Sequence, residues 1–275
     1  ICIRLYSEED YLARPEFTDP EILRTNLATV ILQMLSLDLG SIAEFPFVQA
    51  PDNRNINDGI RLLEELNATF SKKGRTQLTK AGRQLAKYPV DPRLAKMVLT
   101  SIELGCIKQV MIIVSALSIQ DPRERPHEKQ QAADEKHSRF KDKQSDFISF
   151  LNLWQYLNEQ QKALSNNQFR KLCQKEYLSY IRIREWQDIF SQLKQALKDS
   201  NVAMSSVDIG EQDGDKENKQ NHDVIHQAIL SGLLSHLGQL DENREFKGAR
   251  GSRFYIFPGS ALAKKAPVTP ARHGT

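Results

Sequence analysis

The sequence predicts a mainly α-helical chain: a winged-helix domain, then a helical bundle, then the first strands of a β-domain. Three observations carry this prediction. Apolar residues recur at helical spacing through most of the 275 residues, a strand-sized segment interrupts them between residues 67 and 77, and alternating apolar residues follow residue 245. A chain of this length exceeds what one compact core usually spans, so we expect two or three domains.

The composition limits the classes of protein that this chain can represent. Mean hydropathy is -0.51 and no long apolar run occurs, which excludes a membrane span. No basic, apolar leader opens the sequence, so a secretory signal is not expected. The three cysteines, Cys2, Cys106 and Cys173, are far apart and lack metal-ligand spacing, which suits a reducing cytoplasm. The net charge of +3 is too small to indicate nucleic-acid binding by itself.

The first helices have recognisable start signals. Residues 1–5 read as the end of a strand, so we expect the chain to begin inside a longer protein. Ser7 and the acidic residues after it open a short helix that ends near Pro15. Residues 18–21 (TDPE) open the next helix, and apolar residues at helical spacing continue over 22–39.

The following elements predict the winged helix, which we place at 15–88. Residues 57–66 form a helix with an apolar stripe, a short strand-like piece follows, and residues 78–83 (LTKAGR) open a third helix. Helices combined with a two-strand segment are the outline of a small winged-helix domain.

A helical bundle is predicted for 89–236, beginning at residues 91–93 (DPR). Residues 199–222 are rich in Gly, Ser, Asn and acidic side chains, so they should form a mobile insertion. Residues 237–275 should begin the β-domain. The predicted helices of the bundle cover 94–105, 107–119, 127–140, 146–164, 168–197 and 224–237.

Several motifs carry a resemblance to a known family. Residues 78–86 (LTKAGRQLA) and 89–97 (PVDPRLAKM) resemble the junction between the winged-helix and ratchet domains of DEAH-box RNA helicases. Residues 2–6 (CIRLY) look like the strand after the last ATPase motif of that family, and RTNL and FPF fit its winged helix. The resemblance covers about residues 1–266 and is closest to bacterial members in the segments VSALSIQDPRERP, SDFISFLNLW, LSYIRIREWQDI and GARGSRFYIFPGSAL.

The resemblance implies the accessory region of an ATP-dependent RNA helicase. Residues 1–14 would end the second RecA-like motor domain, 89–236 would be a ratchet-type (HA2-like) bundle, and 237–275 would be the truncated start of an OB-like domain. ATP and Mg²⁺ are implied as cofactors of the parent. The sequence itself contains no G-x-x-x-x-G-K-[ST] loop and no DEAH box, so we assign it no catalytic residue and no cofactor.

The implied function is to form part of the single-stranded RNA channel. The expected partners are single-stranded RNA and the motor domains of the same chain, with a ribosome or other ribonucleoprotein as a further candidate. Two other functions stay open. A winged-helix DNA-binding regulator would bind duplex DNA with sequence preference, and a helical protein-interaction scaffold would show no salt-sensitive RNA binding.

The first set of candidate RNA contacts lies on the helix predicted over 168–197. Lys171, Lys175 and Arg182 follow i, i+4 and i+11 spacing there, so they should share one face. A basic stripe suits the phosphate backbone, which requires charge but no base identity. A solvated face with lysines lying over apolar neighbours is the alternative. The resemblance implies that this domain lines the RNA path.

The second set, Lys247, Arg250 and Arg253, lies in a glycine-containing loop between strand-like pieces. Glycine lets the backbone approach phosphate closely, and OB-type loops bind single strands. An exposed hairpin with incidental charge is the alternative.

The remaining motifs have more ordinary explanations. The second helix of the winged-helix domain carries Asp58, Glu64 and Glu65, which would repel phosphate. We therefore expect this domain to brace the motor against the bundle rather than to bind DNA. Lys72, Lys73 and Arg75 could meet phosphate or form a solvated turn.

His222 and His226 have a metal-ligand spacing but lack a third ligand, so no metal site is expected. The aromatic residues at helical spacing should pack in the core instead of stacking on bases; they are Trp154, Tyr156, Tyr177, Tyr180 and Trp186.

Overall fold

The computed structural model describes residues 5–200, 217–241 and 245–263, without the side chains of 217–221 and Arg250. Within these ranges the protein is mainly α-helical with a few short strands, as the sequence predicts. It divides into two units between Ala86 and Lys87, two residues before the predicted boundary. None of the described helices combines the length and the apolar character needed to cross a membrane.

The first unit consists of short helices and one β-hairpin. Ser7 and Thr79 cap helices as predicted: Ser7 Oγ accepts a hydrogen bond from the Asp10 N–H (3.1 Å), and Thr79 Oγ1 from the Gly82 N–H (2.9 Å). The strand expected at residues 1–4 lies outside the described residues. The elements are α1 (Glu8–Leu12), α2 (Glu21–Arg24), α3 (Ala28–Ser36), α4 (Asn53–Glu65), β1 (Thr69–Lys72), β2 (Arg75–Leu78) and α5 (Lys80–Leu85).

The single helix expected over 22–39 is wrong, because the chain leaves helical geometry at Thr25. Asn26 then starts α3, its Oδ1 accepting a hydrogen bond from the Ala28 N–H (2.8 Å). Asn hydrogen-bonds readily to nearby backbone, so it favours a new helix start over the continuation of an old one.

Helices α3 and α4 pack against each other to form the core of the first unit. Gly59 of α4 lies at the contact, where an added Cβ would come within 2.8 Å of Ile31 Cδ1. The buried side chains on the facing surfaces are mostly aliphatic, including Ile31, Leu32, Leu62 and Leu63. The pattern of apolar residues along both helices therefore does place them in the core.

The second unit is built around one buried helix, α7, which packs against α6, α9, α11 and α12. Apart from Leu117 at its end, its apolar residues are buried, as predicted for a helix that is apolar around its circumference. The elements are α6 (Pro92–Glu103), α7 (Ile107–Leu117), α8 (Gln130–Ser138), α9 (Asp146–Ala163), α10 (Asn166–Lys175), α11 (Tyr180–Asp199), α12 (Glu217–Leu230), β3 (Gly238–Leu240), β4 (Phe246–Gly248) and β5 (Arg253–Phe254).

Strands β3, β4 and β5 form a small antiparallel sheet in that order, with Leu240, Phe246 and Phe254 side by side in its register. Sequence alternation predicts strands at this place, and the structure contains them. Most of the insertion predicted at 199–222 lies outside the described residues, and the OB-like interpretation of the sheet stays a prediction.

An aromatic cluster fills the core between α7, α9 and α11. Trp186 is fully buried (0% exposed), and its Nε1–H donates to the Ile112 carbonyl oxygen (2.8 Å). Phe150 meets the Trp186 ring edge-on at 6.0 Å between centroids, and Trp154 lies 4.9 Å from it. Tyr156 and Tyr180 pack against the same cluster. The prediction that the aromatic residues belong to the core is confirmed for Trp154, Tyr156 and Trp186. Tyr180 packs against the cluster with its ring partly exposed, and Tyr177 lies outside the cluster.

Candidate nucleic-acid interface

The candidate interface lies where α10 ends and α11 begins. The continuous helix predicted over 168–197 is wrong, since α10 stops at Lys175 and α11 starts at Tyr180. Tyr177 between them has a φ of 55°, in the left-handed region. The Leu178 N–H donates to the Cys173 carbonyl (2.9 Å), the hydrogen bond that closes a helix end of the Schellman type. Glycine usually occupies the position of Tyr177, so the sequence carries no ordinary stop signal here.

A distant segment holds this break in place. The Glu124 N–H donates to the Tyr177 carbonyl, and the Ser179 N–H donates to the Pro122 carbonyl, both at 2.8 Å. Arg123 and Leu178 thereby form an isolated antiparallel bridge. The backbone groups that a continuing helix would pair internally are paired with residues 122–124 instead.

A buried polar group fixes the C-terminal end of α10 from inside. The carboxylate of Glu176 (7% exposed) is paired with the Arg139 guanidinium, and it accepts hydrogen bonds from Tyr156 Oη (3.0 and 2.9 Å). Burial, and then the hydrogen bond to Glu176, raise the pKa of Tyr156, so this phenol stays a donor at neutral pH. The pKa of the neighbouring Cys173 thiol is raised to about 11, chiefly by burial, which keeps the thiol protonated.

His137 supports the same turn from α8. Its Nε2 lies 3.0 Å from the Glu176 carbonyl oxygen and 3.2 Å from that of Tyr177. Because both partners are acceptors, Nε2 must carry the proton. Burial lowers the pKa of His137 below its ordinary value of 6.5, so the buried ring is neutral at neutral pH.

The break separates the three residues of the predicted basic stripe. Lys171 and Lys175 lie one turn apart on the exposed side of α10. Arg182 belongs to α11, is half-buried, and donates from Nη1 to the Asp121 carbonyl oxygen (3.0 Å). The prediction that all three share one helix face is therefore wrong, because the spacing i+11 has no meaning across a helix break.

The outer face of α10 is basic and has no counter-charge of its own. This helix contains Arg170, Lys171 and Lys175 and no acidic residue. Within the described part of the chain, none of these three side chains has an ion pair, although the Arg170 guanidinium lies over the Tyr180 ring at 4.8 Å. We call this surface, defined by Arg170, Lys171 and Lys175, the α10 face.

A cleft of about 980 Å³ opens beside the α10 face. Its lining comes from three segments: Arg170 and Gln174 of α10, residues 177–181, and Glu124 with residues 126–129. Ile181 is 71% exposed, so an apolar side chain and an aromatic ring stand next to basic groups. Charge beside apolar and aromatic surface suits a nucleic-acid strand, whose bases and phosphates need different contacts. Glu124 and Glu128 also line the cleft, so its charge is mixed.

Sequence reasoning missed Arg170 and the cleft. The contribution of α10 to the cleft could have been predicted from the sequence, because Arg170 and Gln174 form a second i, i+4 row directly beside Lys171 and Lys175. The contribution of Tyr180 and residues 124–129 had no such signal, since it depends on the helix break.

The second predicted set differs from the first in having acidic partners. Lys247 Nζ lies 2.9 Å from Asp241 Oδ2, and Arg253 Nη1 lies 2.8 Å from Glu245 Oε2. Phosphate would have to compete with these carboxylates for both cations. The side chain of Arg250 lies outside the described residues. The structure therefore gives more support to the α10 face than to this loop.

Of the two histidines that were expected not to bind metal, His226 has other contacts within the described residues. His226 Nε2 lies 2.7 Å from Ser145 Oγ, and the His226 ring packs near Phe147 at 6.4 Å. Among the residues that the structure describes, no three potential ligands from His, Cys, Asp and Glu are grouped as a metal site would require.

Comparison with known proteins identifies relatives. Residues 91–150 match the helicase associated domain (HA2), ratchet-like. The chain is 60% identical over 270 residues to the ATP-dependent RNA helicase HrpA of Escherichia coli (strain K12), an alignment that covers 97% of this chain and 20% of that protein. It is 58% identical over 272 residues to the ATP-dependent RNA helicase HrpA homolog of Haemophilus influenzae, with the same coverages. The chain spans about one fifth of the length of these curated relatives, and the resemblance to a bacterial RNA helicase is confirmed.

Proposed function

Because this chain is related to the HrpA helicases along nearly its whole length, we propose that it is the accessory region of an ATP-dependent DEAH-box RNA helicase. In this proposal the α10 face contacts the backbone of single-stranded RNA and forms part of the channel wall. ATP and Mg²⁺ are bound by motor domains elsewhere in the same protein, which works in the cytoplasm. The accessory region contributes electrostatic attraction and a fixed surface, while the motor supplies the chemistry.

One observation carries the assignment of the α10 face: its three cations are unpaired within the described residues, whereas Lys247 and Arg253 are paired with carboxylates. Unpaired, exposed cations bind phosphate without first losing an internal ion pair, and they release counterions from the RNA when they do so. The buried contacts of Glu176 and His137 hold the end of α10 in one geometry, so the surface is rigid before RNA arrives.

One feature supports a single strand as the ligand of the α10 face. Basic groups lie beside the partly exposed ring of Tyr180 and the exposed Ile181, as in sites that combine backbone contacts with stacking.

Charge reversal tests this function. We expect Lys171→Glu with Lys175→Glu to lower the affinity of the chain for fluorescent single-stranded RNA by roughly tenfold or more at low salt, because two attractions become two repulsions. The measurement is fluorescence anisotropy with an unstructured oligonucleotide.

The matched control is Lys194→Glu with Lys198→Glu. These lysines are also four residues apart, on α11, and the double substitution changes the net charge by the same amount. The control should retain most of the wild-type affinity. Equal losses in the two variants would show that net charge, and not the α10 face, governs RNA binding.

A further inference from the structure

A second basic surface lies on the first unit, separate from the α10 face. Residues 66–86 carry five basic side chains and no acidic one, while the other residues together carry 33 basic and 35 acidic side chains. The chain is therefore slightly acidic apart from this segment. Its basic residues lie on the β1–β2 hairpin and on α5 that follows it; they are Lys72, Lys73, Arg75, Lys80 and Arg83.

The hairpin concentrates three of these charges at its tip. Lys72 and Arg75 are directly opposite each other in the strand register, and Lys73 and Gly74 form the two-residue loop between them. Both loop residues have positive φ, 51° and 75°, as a tight hairpin turn requires. All four residues are exposed. Within the described part of the chain, the side chains of Lys72, Lys73 and Arg75 have no ion pair or hydrogen bond.

This arrangement opposes the stability of the hairpin. Like charges directly opposite on neighbouring strands repel each other. Lysine is also a poor residue for the left-handed position of Lys73, where Asn or Gly is favoured. A charge pattern that works against local stability is expected where a site serves a ligand.

We propose that the β1–β2 hairpin tip binds the phosphate backbone of double-stranded RNA. The proposal concerns a different surface from the α10 face and does not depend on RNA binding there. Three cations at one hairpin tip match a dense array of anions, and a duplex carries about twice the charge of a single strand per unit of length. The tip residues 72–75 include no aromatic ring for stacking, and Phe70, with its 42% exposed ring, lies below them on β1.

The neighbouring helix α4 does not compete for this role. Its exposed surface includes Asp58, Glu64 and Glu65, which repel phosphate. A duplex would therefore approach the first unit through the hairpin and not through α4. Contact through backbone charge predicts binding without preference for base sequence.

The test compares a blunt RNA duplex with one of its own strands, each labelled with fluorescein, over a salt series. The variant is Lys72→Gln with Arg75→Gln, which leaves the turn residues Lys73 and Gly74 unchanged. We expect its duplex affinity to fall several-fold and the slope of log K against log salt to become shallower by about two, since two phosphate contacts are lost. Its single-strand affinity should stay near that of the unsubstituted chain.

Two controls make the result decisive. Because the substitution removes a like-charge pair, the variant should melt at the same or a higher temperature, which excludes misfolding as the cause. Arg54→Gln with Arg61→Gln removes two exposed charges from α4 and should leave duplex binding nearly unchanged. An unchanged duplex affinity and slope in the hairpin variant would overturn this proposal, as would a loss confined to single-stranded RNA. Neither result would change the conclusion about the α10 face, which the Lys171 and Lys175 variants test separately.

Discussion

At the scale of single residues, His137 links the stability of the turn between α10 and α11 to pH. The ring is buried, and its Nε2–H donates to two carbonyl oxygens at the turn between α10 and α11. Burial lowers its pKa in the folded state, so the folded protein takes up this proton only at a lower pH than the unfolded chain does. The turn that presents the α10 face is therefore sensitive to mild acid.

The lowered pKa of His137 predicts that the free energy of unfolding depends on pH. Well above pH 6.5, from about pH 7.5 upward, the ring is neutral in both states, and His137 contributes almost no pH dependence. As the pH falls below that value, the unfolded chain binds the proton first, so the free energy of unfolding should decrease by up to about 1.4 kcal/mol per pH unit from this residue. The decrease ends once the pH passes the folded-state pKa.

Urea denaturation at several pH values, with His137→Gln for comparison, measures this effect. The variant should lose less stability than the unsubstituted chain between about pH 7 and 5, because the other histidines are common to both proteins. Parallel stability curves for the two proteins would show that His137 does not bind the proton differently in the folded and unfolded states.

Helix caps, which depend only on a few neighbouring residues, could be predicted from the sequence. Ser7 and Thr79 were expected at helix starts and do cap helices, since a cap depends only on residues up to three positions away. The ion pairs of Lys247 and Arg253 were not readable, because they depend on how β4 pairs with its neighbours and on the loop between the strands. The sequence shows which residues are charged, but it does not show which of them form ion pairs in the folded protein.

At the scale of elements, the break between α10 and α11 is the feature that positions the interface. The sequence predicted one helix because it has no glycine at the end of α10. Tyr177 occupies the left-handed position there, where glycine usually marks the end of a helix. The groups that hold the break, residues 122–124 and His137, are far away in the chain. Local periodicity carries no information about them. Some other helix starts of the bundle do have local signals, such as Asp91 before α6 and Ser145 before α9, whose side chains cap these helices.

The buried Glu176 should make a measurable contribution to this element. Tyr156→Phe removes the O–H that donates to both carboxylate oxygens, while the ring can still pack under the Arg139 guanidinium, which lies 4.4 Å away. We expect the free energy of unfolding to fall by about 1.5–3 kcal/mol, since a hydrogen bond to a charged, buried acceptor is lost. Chemical denaturation monitored by circular dichroism measures it.

Tyr180→Phe is the matched control. The Tyr180 ring packs against the same core, and no hydrogen bond of its hydroxyl is found among the described residues. Its stability should change by less than about 0.5 kcal/mol. A similar loss in both variants would indicate that ring packing, and not the bond to Glu176, accounts for the effect.

At the scale of the whole molecule, the fold class was predictable and the arrangement of the binding surface was not. Helical periodicity and apolar patterning identified a mainly helical chain with a small hairpin and a few late strands. The long motifs that resemble bacterial RNA helicases predicted relatives of that kind, and residues 91–150 match the helicase associated domain (HA2), ratchet-like. The basic surfaces required the structure, because tertiary pairing decides which of the 38 basic side chains remain available to a ligand.

The two proposed surfaces assign different tasks to the two units. The α10 face would hold a single strand through its phosphates, and the hairpin tip would meet a duplex. The two tasks are separable by experiment, since each surface has its own charge-neutral variant.

The most direct test of the central claim is the salt dependence of single-stranded RNA binding by the chain and by Lys171→Gln with Lys175→Gln. If the α10 face contacts the RNA backbone, binding weakens as salt increases, and the neutral variant has a slope of log K against log salt that is shallower by roughly 1.4, about 0.7 for each lost phosphate contact. Identical slopes for the two proteins would contradict the claim that these lysines neutralise RNA phosphates.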